Sequence, residues 1–319
     1  MKFNIIKCHG ACNDFALIDE INNNYNFTEE DRRKLAILLC DRNGAVGGDG
    51  IVFMSNSENC DGKMRIFNAD GTEPEMCGNV LRNVGRFVME NFKKDAVTIE
   101  TMKANYNVRK VKDIFDGVYT DEIELKAISF NPDDLPLVSK EDKVVFQSIP
   151  ELSSKEKFTA IACQNTHLVV LTDEIKEEEI REVGIKANST KSVLPQGSNV
   201  NYLKVLDKDT VYVKTYERGV GFTKACGTGM TASIVACTIA YPEMKNRPIK
   251  IYNDGGMIIN TVVENEEGLK VIMVGNATFV YTAEVEYENN TISVSNKKEF
   301  VEENKSYDKF LAFTNSIEK

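Results

Sequence analysis

Short runs of alternating apolar and polar residues recur in both halves of the chain and predict β-strands. The runs are rich in β-branched and aromatic residues and are bounded by turn formers, as strands usually are. In the first half they are KFNIIKCHG, FALID, IVFM, KMRIFN and AVTIETM. In the second half they are FTAIAC, LVVLT, VNYLKVL, TVYVKTY and IKIYND, and a last run, TFVYTAEVEY, follows them. The pattern therefore favours two strand-rich halves.

A different periodicity predicts a few helices between these strands. TEEDRRKLAILLCDR carries apolar residues at helical spacing, with Thr28 as a candidate N-cap and Asp31 in the first turn. GNVLRNVGRFVMENF follows Cys77, and GTGMTASIVACTIAY follows Cys226. The last of these is apolar nearly all round, which predicts a helix buried inside its domain.

An internal repeat relates the two halves. RIFNADGTEPEMCGNV at 65–80 and KTYERGVGFTKACGTG at 214–229 each place an aromatic residue ten positions before a Cys-Gly pair, at a shift of 149 residues. GGDGIVFM at 47–54 aligns with QGSNVNYL at 196–203 at the same shift. NDFALID at 13–19 aligns with HLVVLTD at 167–173 at a shift of 154. A period this long indicates duplication of a whole domain.

The predicted fold is α/β, with two pseudo-symmetric domains in which strands wrap around a central helix. The first domain takes residues 1–130 and about 281–319, and the second takes residues 131–280. The joint falls near FNPDDLP at 130–136. The charged tail at 291–319 packs or frays on the first domain. Each central helix begins at a repeated cysteine.

Composition narrows the class of protein. The 319 residues are 42% apolar and 28% charged, which is typical of a globular chain, and the formal charge is −10. This acidic balance argues against partners such as nucleic acid or an anionic membrane surface. The start has no secretory apolar stretch and no run approaches a membrane helix, so we expect a cytoplasmic protein.

The eight cysteines need no disulfide framework in that compartment. Cys8, His9 and Cys12 form only a weak zinc pattern, since no CxxC pair is present, and we predict no metal site. Most of the cysteines are expected to be small buried apolar residues.

A cysteine at a helix start can move protons. The N–H groups and the partial positive charge of a helix N-terminus favour a thiolate and can hold a carboxylate. Two such thiols that face one another can invert a carbon: one thiolate removes a proton and the opposed thiol delivers another to the other face. The chemistry requires no metal or organic cofactor. The alternative is that both cysteines only pack, but their equivalent positions, each before glycine, favour chemistry.

These stretches resemble the diaminopimelate epimerase family of cofactor-independent amino-acid racemases. The resemblance runs along most of the chain, through KCHGACNDF, GGDGIVF, RIFNADGTEPEMCGN, QNTHLVV, GSNVNYLKV and YERGVGFTKACGTG. It implies two pseudo-symmetric α/β domains with the active site in the cleft between them. It also implies a homodimer, a small-molecule amino-acid substrate, no cofactor, and a role in lysine and cell-wall precursor synthesis.

The resemblance assigns roles to particular residues. Cys77 and Cys226 match the catalytic acid/base cysteines. The helix-start positions whose N–H groups bind the reacting carboxylate are matched by Gly78, Asn79, Gly227 and Thr228. The remaining substrate-contacting positions are matched by Asn13, Asn68, Asn165, Asn199, Glu217 and Arg218, and the arginine grasps the distal carboxylate. Taken singly, the asparagines are turn or loop residues, and the Glu-Arg pair is a solvated ion pair.

Some positions depart from the family pattern. Cys12 stands where glycine is usual, Val80 where glycine or alanine is, Thr166 where proline is common, Phe222 where glutamate is common, and Asn83 where cysteine is frequent. The chain also carries extra residues around 105–157 and at its C-terminus. His167 is open to interpretation as a general base, but we interpret it, like His9, as structural.

The function that the sequence predicts is interconversion of LL- and meso-diaminopimelate by two thiols. One alternative is a related racemase for histidine or another polar amino acid, because the departures lie near the catalytic turns. A second is a thiol redox or amino-acid-binding protein without turnover, which leaves the helix-start glycines and the polar residues unexplained.

Overall fold

The computed structural model describes residues 1–126, 128–266 and 268–318. Contacts within the chain define two compact units. The first contains Met1–Ile123 and Val274–Phe313, and the second contains Glu124–Met273 and Thr314–Lys319. None of the helices in these described ranges combines the length and apolar character needed to span a membrane.

The described residues form five α-helices and nineteen strands. The helices are Glu29–Cys40 (α1), Gly78–Phe92 (α2), Glu177–Ser189 (α3), Gly227–Ala240 (α4) and Val301–Asn315 (α5). The strands up to the middle of the chain are Lys2–Gly10 (β1), Asn13–Asp19 (β2), Gly50–Ser55 (β3), Gly62–Asn68 (β4), Ala96–Glu100 (β5), Asn105–Lys110 (β6), Thr120–Leu125 (β7), Ile128–Ser129 (β8) and Gln147–Ser148 (β9). The later strands are Lys157–Cys163 (β10), Asn165–Leu171 (β11), Asn199–Asp207 (β12), Thr210–Glu217 (β13), Gly221–Phe222 (β14), Ile249–Asn253 (β15), Gly256–Asn265 (β16), Gly268–Asn276 (β17), Thr278–Glu288 (β18) and Thr291–Glu299 (β19).

The first unit orders its elements around α2. β1 and β2 form an antiparallel pair, and α1 carries the chain to β3, which lies parallel to β2. β4 returns antiparallel to β3, α2 follows, and β5 lies parallel to β4 and antiparallel to β6. β18 then pairs with the free side of β1, and β19 pairs with β18. α2 contacts β1, β2, β5 and β6, so it is the central helix of this unit.

The second unit repeats this order. β10 and β11 are antiparallel, α3 leads to β12 parallel to β11, and β13 returns antiparallel to β12. α4 follows, and β15 lies parallel to β13 and antiparallel to β16. Every residue of α4 from Gly227 to Thr238 is buried, as its uniformly apolar sequence predicts. The expectation of two similar α/β domains, each with a central helix that follows a cysteine, is confirmed.

One predicted alignment was wrong by two residues. β2 pairs in parallel with β3 at Phe15 and Gly50, and β11 pairs with β12 at His167 and Asn199. Gly50 and Asn199 are 149 residues apart, so Phe15 corresponds to His167 and the shift in this segment is 152, not 154. A slip of two residues keeps every side chain on the same face of a strand, so the apolar pattern could not detect it. Asn13 therefore corresponds to Asn165.

The first helix begins as its sequence predicts, with one addition. The hydroxyl of Thr28 accepts a hydrogen bond from the backbone N–H of Asp31 at 3.1 Å. The Asp31 carboxylate accepts in return from the Thr28 backbone N–H at 2.9 Å. This reciprocal arrangement is a capping box, which satisfies two backbone donors at the helix start.

Two helices were not among the predicted elements. α3 buries Ile180, Val183 and Ala187 at helical spacing, behind an acidic first turn. That periodicity is present in the sequence but is interrupted by charged residues. The C-terminal tail forms β19 and α5, and Phe310 of α5 is completely buried. The tail is therefore packed rather than frayed.

Candidate active site

Cys77 caps the first central helix. Its backbone is extended (φ −141°, ψ 117°) and α2 begins at the next residue, Gly78. The side chain is partly buried, and its thiol donates a hydrogen bond to Oδ1 of Asn13 at 3.5 Å. The N–H groups at the start of a helix have no partner within that helix and carry partial positive charge, so this turn can accommodate a thiolate and a carboxylate.

Asn13 links this thiol to the helix and to a carboxylate. Its Oδ1 also accepts from Nδ2 of Asn79 at 3.3 Å, two residues after Cys77. Its own Nδ2 donates to Asp49 at 2.8 Å. Asp49 was not among the predicted site residues, although it lies two residues before the predicted strand IVFM. Asn13 is thereby fixed from both ends of its amide.

A group of charges supports Asp49 and Asn13. Arg42 bonds both Asp14 and Asp49 at 2.7 Å, and Lys7 pairs with Asp14 at 2.6 Å. Burial by itself would raise the pKa of Asp14, but hydrogen bonds and charge from Arg42 and Lys7 hold that pKa below its ordinary value. Asp14 is therefore ionised at neutral pH and anchors the start of β2.

Strand register brings the polar residues of the first unit to one edge. β2 begins at Asn13, β3 begins at Gly50, and β4 ends at Asn68. Because β3 is parallel to β2 and antiparallel to β4, these three positions lie at the same ends of neighbouring strands. Asn68 donates to the Thr72 hydroxyl at 3.0 Å and thereby shapes the turn that leads toward Cys77.

Cys226 has the same place in the second unit. It is the N-cap of α4, with an extended backbone (φ −119°, ψ 107°), and the helix begins at Gly227. The side chain is buried, and its sulfur lies 3.7 Å from the hydroxyl of Thr228. That hydroxyl donates to Oδ1 of Asn165 at 3.1 Å. Thr228 stands two residues after Cys226, as Asn79 stands two residues after Cys77.

A fully buried histidine organises this group. Nδ1 of His167 faces the amide nitrogen of Asn201 at 3.2 Å, so Nδ1 accepts and Nε2 carries the proton. Nε2 lies 2.5 Å from Oδ1 of Asn165 and 3.1 Å from the Thr228 hydroxyl. Burial, assisted by the positive charge of Arg218, lowers the pKa of His167 to about 3. The ring is therefore neutral at physiological pH and donates to Asn165.

The remaining predicted residues of the second unit lie at the same strand edge. β11 begins at Asn165, β12 begins at Asn199, and β13 ends at Glu217. Oδ1 of Asn199 accepts from the backbone N–H of Arg218 at 2.8 Å, and the Arg218 guanidinium donates to the Gln196 carbonyl at 2.9 Å. Glu217 accepts from the Thr223 hydroxyl at 2.5 Å. Arg218 itself is exposed.

The departures from the family pattern lie in identifiable packing. Thr166 is buried and donates to the Leu135 carbonyl at 3.5 Å. Phe222 packs edge-to-face on Tyr216, with ring centroids 5.5 Å apart. Val80 is completely buried, and the Cys12 sulfur lies 3.7 Å from the Tyr307 hydroxyl. A fifth departure, Asn83, is also buried, and its Nδ2 donates to the Asn79 carbonyl at 2.9 Å.

In the part of the chain that the structure describes, no three His, Cys, Asp or Glu side chains are grouped as metal ligands. Cys8 donates toward the Phe15 carbonyl at 3.7 Å, and burial raises the pKa of its thiol to about 12. His9 instead packs edge-on against Tyr307, with ring centroids 4.3 Å apart. Cys8, His9 and Cys12 therefore do not form the weakly indicated zinc site.

Comparison with known proteins identifies close relatives. The family model described as "Diaminopimelate epimerase" matches residues 5–122 and 159–280. A diaminopimelate epimerase of Clostridium acetobutylicum is 48% identical over 317 residues, which cover 98% of this chain and 95% of the relative. One from Listeria welshimeri is 37% identical over 298 residues, 91% of each chain.

Solved structures share the fold at low sequence identity. A phenazine biosynthesis protein of the PhzF family from Bacillus anthracis superposes with a TM-score of 0.67 at 15% identity, covering 90% of this chain and all of that one. A hydroxyproline epimerase from Agrobacterium vitis gives a TM-score of 0.59 at 12% identity, covering 89% of this chain and 92% of the other. These likenesses establish the architecture, and the relatives above establish the family.

Proposed function

The chain belongs to the diaminopimelate epimerase family, and we propose that it interconverts LL- and meso-diaminopimelate by a two-thiol mechanism. The proposal rests chiefly on one observation. Each unit caps its central helix with a cysteine, and the residue two positions later donates a hydrogen bond to an asparagine that begins a strand. Asn13 with Asn79 and Asn165 with Thr228 are thus equivalent pairs beside Cys77 and Cys226.

In the proposed reaction the two thiols act on opposite faces of one α-carbon. A thiolate takes the α-proton, and the electron pair of the broken C–H bond moves into the carboxylate as an enolate. The other cysteine delivers its thiol proton to the opposite face, which inverts the carbon and leaves the second sulfur as the thiolate. The reverse reaction exchanges the two roles. No net proton or electron is gained or lost.

Helix N-termini stabilise the charge that develops. The N–H groups of Gly78, Asn79, Gly227 and Thr228 are assigned to the carboxylate of the reacting carbon, which becomes doubly anionic in the enolate. Backbone donors that are already oriented stabilise such charge without reorganising at the moment of reaction. Neutral asparagine and threonine side chains beside each sulfur add no charge that would compete with the thiolate.

The strand-edge residues are assigned to the distal end of the substrate. Arg218 is exposed and its guanidinium offers a planar fork to the distal carboxylate. Asn68, Asn165, Asn199 and Glu217 can bind the distal ammonium and carboxylate, and Asn13 holds the first thiol. A substrate with two zwitterionic ends uses this set more fully than an amino acid with one charged head. The extent of the family match supports the same substrate.

The proposal is tested by exchange and turnover together. Purified protein is given LL-diaminopimelate in deuterium oxide, and α-deuteration is followed by NMR while chiral chromatography measures the meso product. We expect both signals, and replacement of Cys77 or Cys226 by alanine should lower turnover by about 10²- to 10⁴-fold. Cys237→Ala is the matched control, since Cys237 lies on α4 with its sulfur against Met244 at 3.6 Å. It should retain activity.

Three outcomes would overturn parts of this proposal. Wild-type-like turnover in either cysteine variant would refute the two-thiol mechanism. Much faster racemisation of histidine or another single-headed amino acid would refute the substrate. Binding of diaminopimelate with neither exchange nor turnover would support a protein that only binds amino acids. The exchange and turnover assays identify the first two results, and the third also requires a measurement of diaminopimelate binding, for example by calorimetry.

Assembly and location are further parts of the proposal, and the family resemblance supports them. We propose that the chain acts as a homodimer in the cytoplasm, without metal or organic cofactor. Sedimentation of the purified protein at micromolar concentration measures the first point. A monomer with full turnover would remove the dimer from the proposal and leave the chemistry unchanged.

A further inference from the structure

The largest fully buried side chain of the described residues is a charged one. Arg82 is 0% exposed and lies on α2, five residues after Cys77. A buried guanidinium is costly unless its donors are satisfied and its charge is balanced. The surroundings of Arg82 therefore indicate what the charge is for.

Neutral acceptors, two of them at the start of α2, hold the guanidinium. Nη1 donates to the Gly78 carbonyl at 3.2 Å, and Nη2 donates to Oδ1 of Asn79 at 3.0 Å. Nε donates to the Asn276 carbonyl at 3.1 Å. Because Asn79 in turn donates to Asn13, and Asn13 accepts from the Cys77 thiol, an unbroken chain of hydrogen bonds runs from Arg82 to the sulfur.

Two glycines make room for this group. A Cβ atom at Gly10 would lie 2.9 Å from Nη2 of Arg82, and one at Gly275 would lie 2.9 Å from Cζ. Both distances are shorter than real side-chain contacts allow, so any other residue at either position would displace the guanidinium. The backbone is thus shaped around Arg82 from both sides.

The Cys77 sulfur is among the groups that act electrostatically on the Arg82 guanidinium. The electrostatic neighbours of this guanidinium include Cys77, Asp121 of β7 and Tyr307 of α5. Burial lowers the pKa of Arg82 to about 10, which still leaves it protonated at neutral pH. Burial raises the pKa of Asp121 to about 8, so this carboxyl is mostly neutral there, and its two oxygens find no hydrogen-bond partner among the described residues. Tyr307 is likewise neutral, because burial raises its pKa well above the ordinary value.

We propose that Arg82 is a positioning residue for Cys77, which fixes Asn79 and Asn13 against the sulfur and supplies the counter-charge of the thiolate. This inference rests on the proposed function, in which Cys77 exchanges the α-proton. The guanidinium acts through its neighbours and does not touch the substrate.

The corresponding position of the second unit carries no arginine. Thr231 stands at the corresponding position, since 231 and 82 also differ by 149 residues, and its hydroxyl donates to the Gly227 carbonyl at 3.0 Å. The sulfur of Cys226 lies against the neutral Thr228 hydroxyl, which in turn is hydrogen-bonded to Asn165 and His167. The counter-charge proposed for Cys77 therefore has no equivalent at position 231, and Cys77 is the thiol to which the proposal assigns the negative charge.

The test measures the thiolate directly rather than through turnover. The rate at which iodoacetamide alkylates Cys77 is followed by peptide mass spectrometry between pH 5 and 9 in the full chain. Arg82→Met should slow alkylation at pH 7 by about tenfold, since a rise of one pKa unit lowers the thiolate fraction tenfold. Arg82→Lys keeps the charge and should recover most of the rate. A purely structural role predicts that Lys and Met lose equally.

Arg86→Met is the matched control. Arg86 is also buried on α2, but it bonds Glu303 at 2.6 and 2.7 Å and the Ala277 carbonyl at 2.8 Å. Its loss should reduce stability and leave the pH profile of Cys77 in place. If Arg82→Met does not fold, Gly275→Ala, which displaces the guanidinium, should produce the same slowing.

The inference is overturned if the rate of Cys77 alkylation in Arg82→Met stays within twofold of the wild-type rate across the pH range. The same criterion applies to Gly275→Ala where that variant replaces Arg82→Met. The inference is also overturned if Arg86→Met shifts the profile as far. Turnover of diaminopimelate by the wild type is measured separately. A wild type that epimerises, with an unshifted Cys77 profile in the variant, refutes this inference alone. A shifted Cys77 profile in the variant, together with a wild type that does not epimerise diaminopimelate, refutes the proposed function alone.

Discussion

Replacement of Gly229 by alanine tests whether the hydrogen-bonded group beside Cys226 matters to the reaction. Gly229 lies in the first turn of α4, and a Cβ there would fall 2.3 Å from Oδ1 of Asn201 and 3.2 Å from the Cys226 sulfur. An ordinary contact needs about 3.4 Å, so the Asn201 oxygen must retreat by roughly 1 Å. Asn201 is fully buried and bonded to Thr215, Leu168 and His167.

The magnitude follows from those bonds. Overpacking of this kind costs about 1–3 kcal/mol, and one broken buried hydrogen bond costs a similar amount. For a unit of this size we expect the melting temperature to fall by roughly 2 to 10 °C. Movement of Asn201 also releases the His167 ring, which positions Asn165 and Thr228. A displacement of 1 Å near reacting groups can cost about 100-fold, so kcat should fall by that order while KM changes little.

Gly85→Ala is the control for the steric cost. A Cβ at Gly85 would lie 2.3 Å from the Val108 side chain, and the three nearest atoms all belong to Val108. The collision is as severe, but it contacts none of the polar groups near either cysteine. We expect a similar loss of thermal stability with kcat within about threefold of wild type. Turnover is measured at a temperature where circular dichroism shows both variants folded. Wild-type kcat in Gly229→Ala, or an equal loss in Gly85→Ala, would refute the reasoning.

Three further predictions concern the substrate, pH and metals. Arg218→Ala should lower kcat/KM for diaminopimelate by about ten- to a hundredfold through loss of a charge-assisted hydrogen bond. Arg181→Ala, in which the lost guanidinium lies over the Phe222 ring, should not, and equal effects would contradict the assignment. The pKa of His167 is about 3 in the folded protein and 6.5 in the unfolded chain. Between these pH values only the unfolded chain protonates the imidazole, so the free energy of unfolding falls as the pH drops from 6.5 toward 3. His167→Gln should flatten that slope, which reaches about 1.4 kcal/mol per pH unit, in urea titrations, and an unchanged slope would be inconsistent with a neutral buried ring. Activity should survive dialysis against EDTA, and loss that a single metal restores would disprove a metal-free reaction.

The predicted strands and central helices follow closely from local pattern. Period-two runs gave β1, β3 and β4 within a residue or two of their bounds, and the apolar stretches after Cys77 and Cys226 became α2 and α4. Both signals are local, because apolar residues must recur every second position in a strand that buries one face, and every three to four positions in a helix that does so. The positions of Cys77 and Cys226 at helix starts could be predicted for the same reason, because the glycine of each Cys-Gly pair is the first residue of a helix.

The contacts beside each thiol could not be predicted in the same way. Asp49 bonds Asn13 from 36 residues away, and nothing in GGDGIVFM indicates which side chain its carboxylate will meet. Arg82 in GNVLRNV looks like the polar face of an amphipathic helix, yet it is completely buried. Its burial depends on Gly10 and Gly275, which approach it only after the strands have paired. Such contacts are set by packing between distant segments rather than by local period.

Four of the five departures from the family pattern have an identified packing or hydrogen-bond partner, and none of these contacts requires a different substrate. The matched residues leave out 123–158 and 281–319, and two of the departures contact those segments. Thr166 donates to the Leu135 carbonyl in the first, and Cys12 lies against the Tyr307 hydroxyl in the second. Phe222 packs on Tyr216. The Tyr216 ring packs directly against Gly184 of α3, where a Cβ atom would collide with it. The substitution at Phe222 therefore changes the packing beneath α3. Substitutions that pair with extra segments are adjustments of packing, and none of these contacts involves the side chain of Cys77 or Cys226.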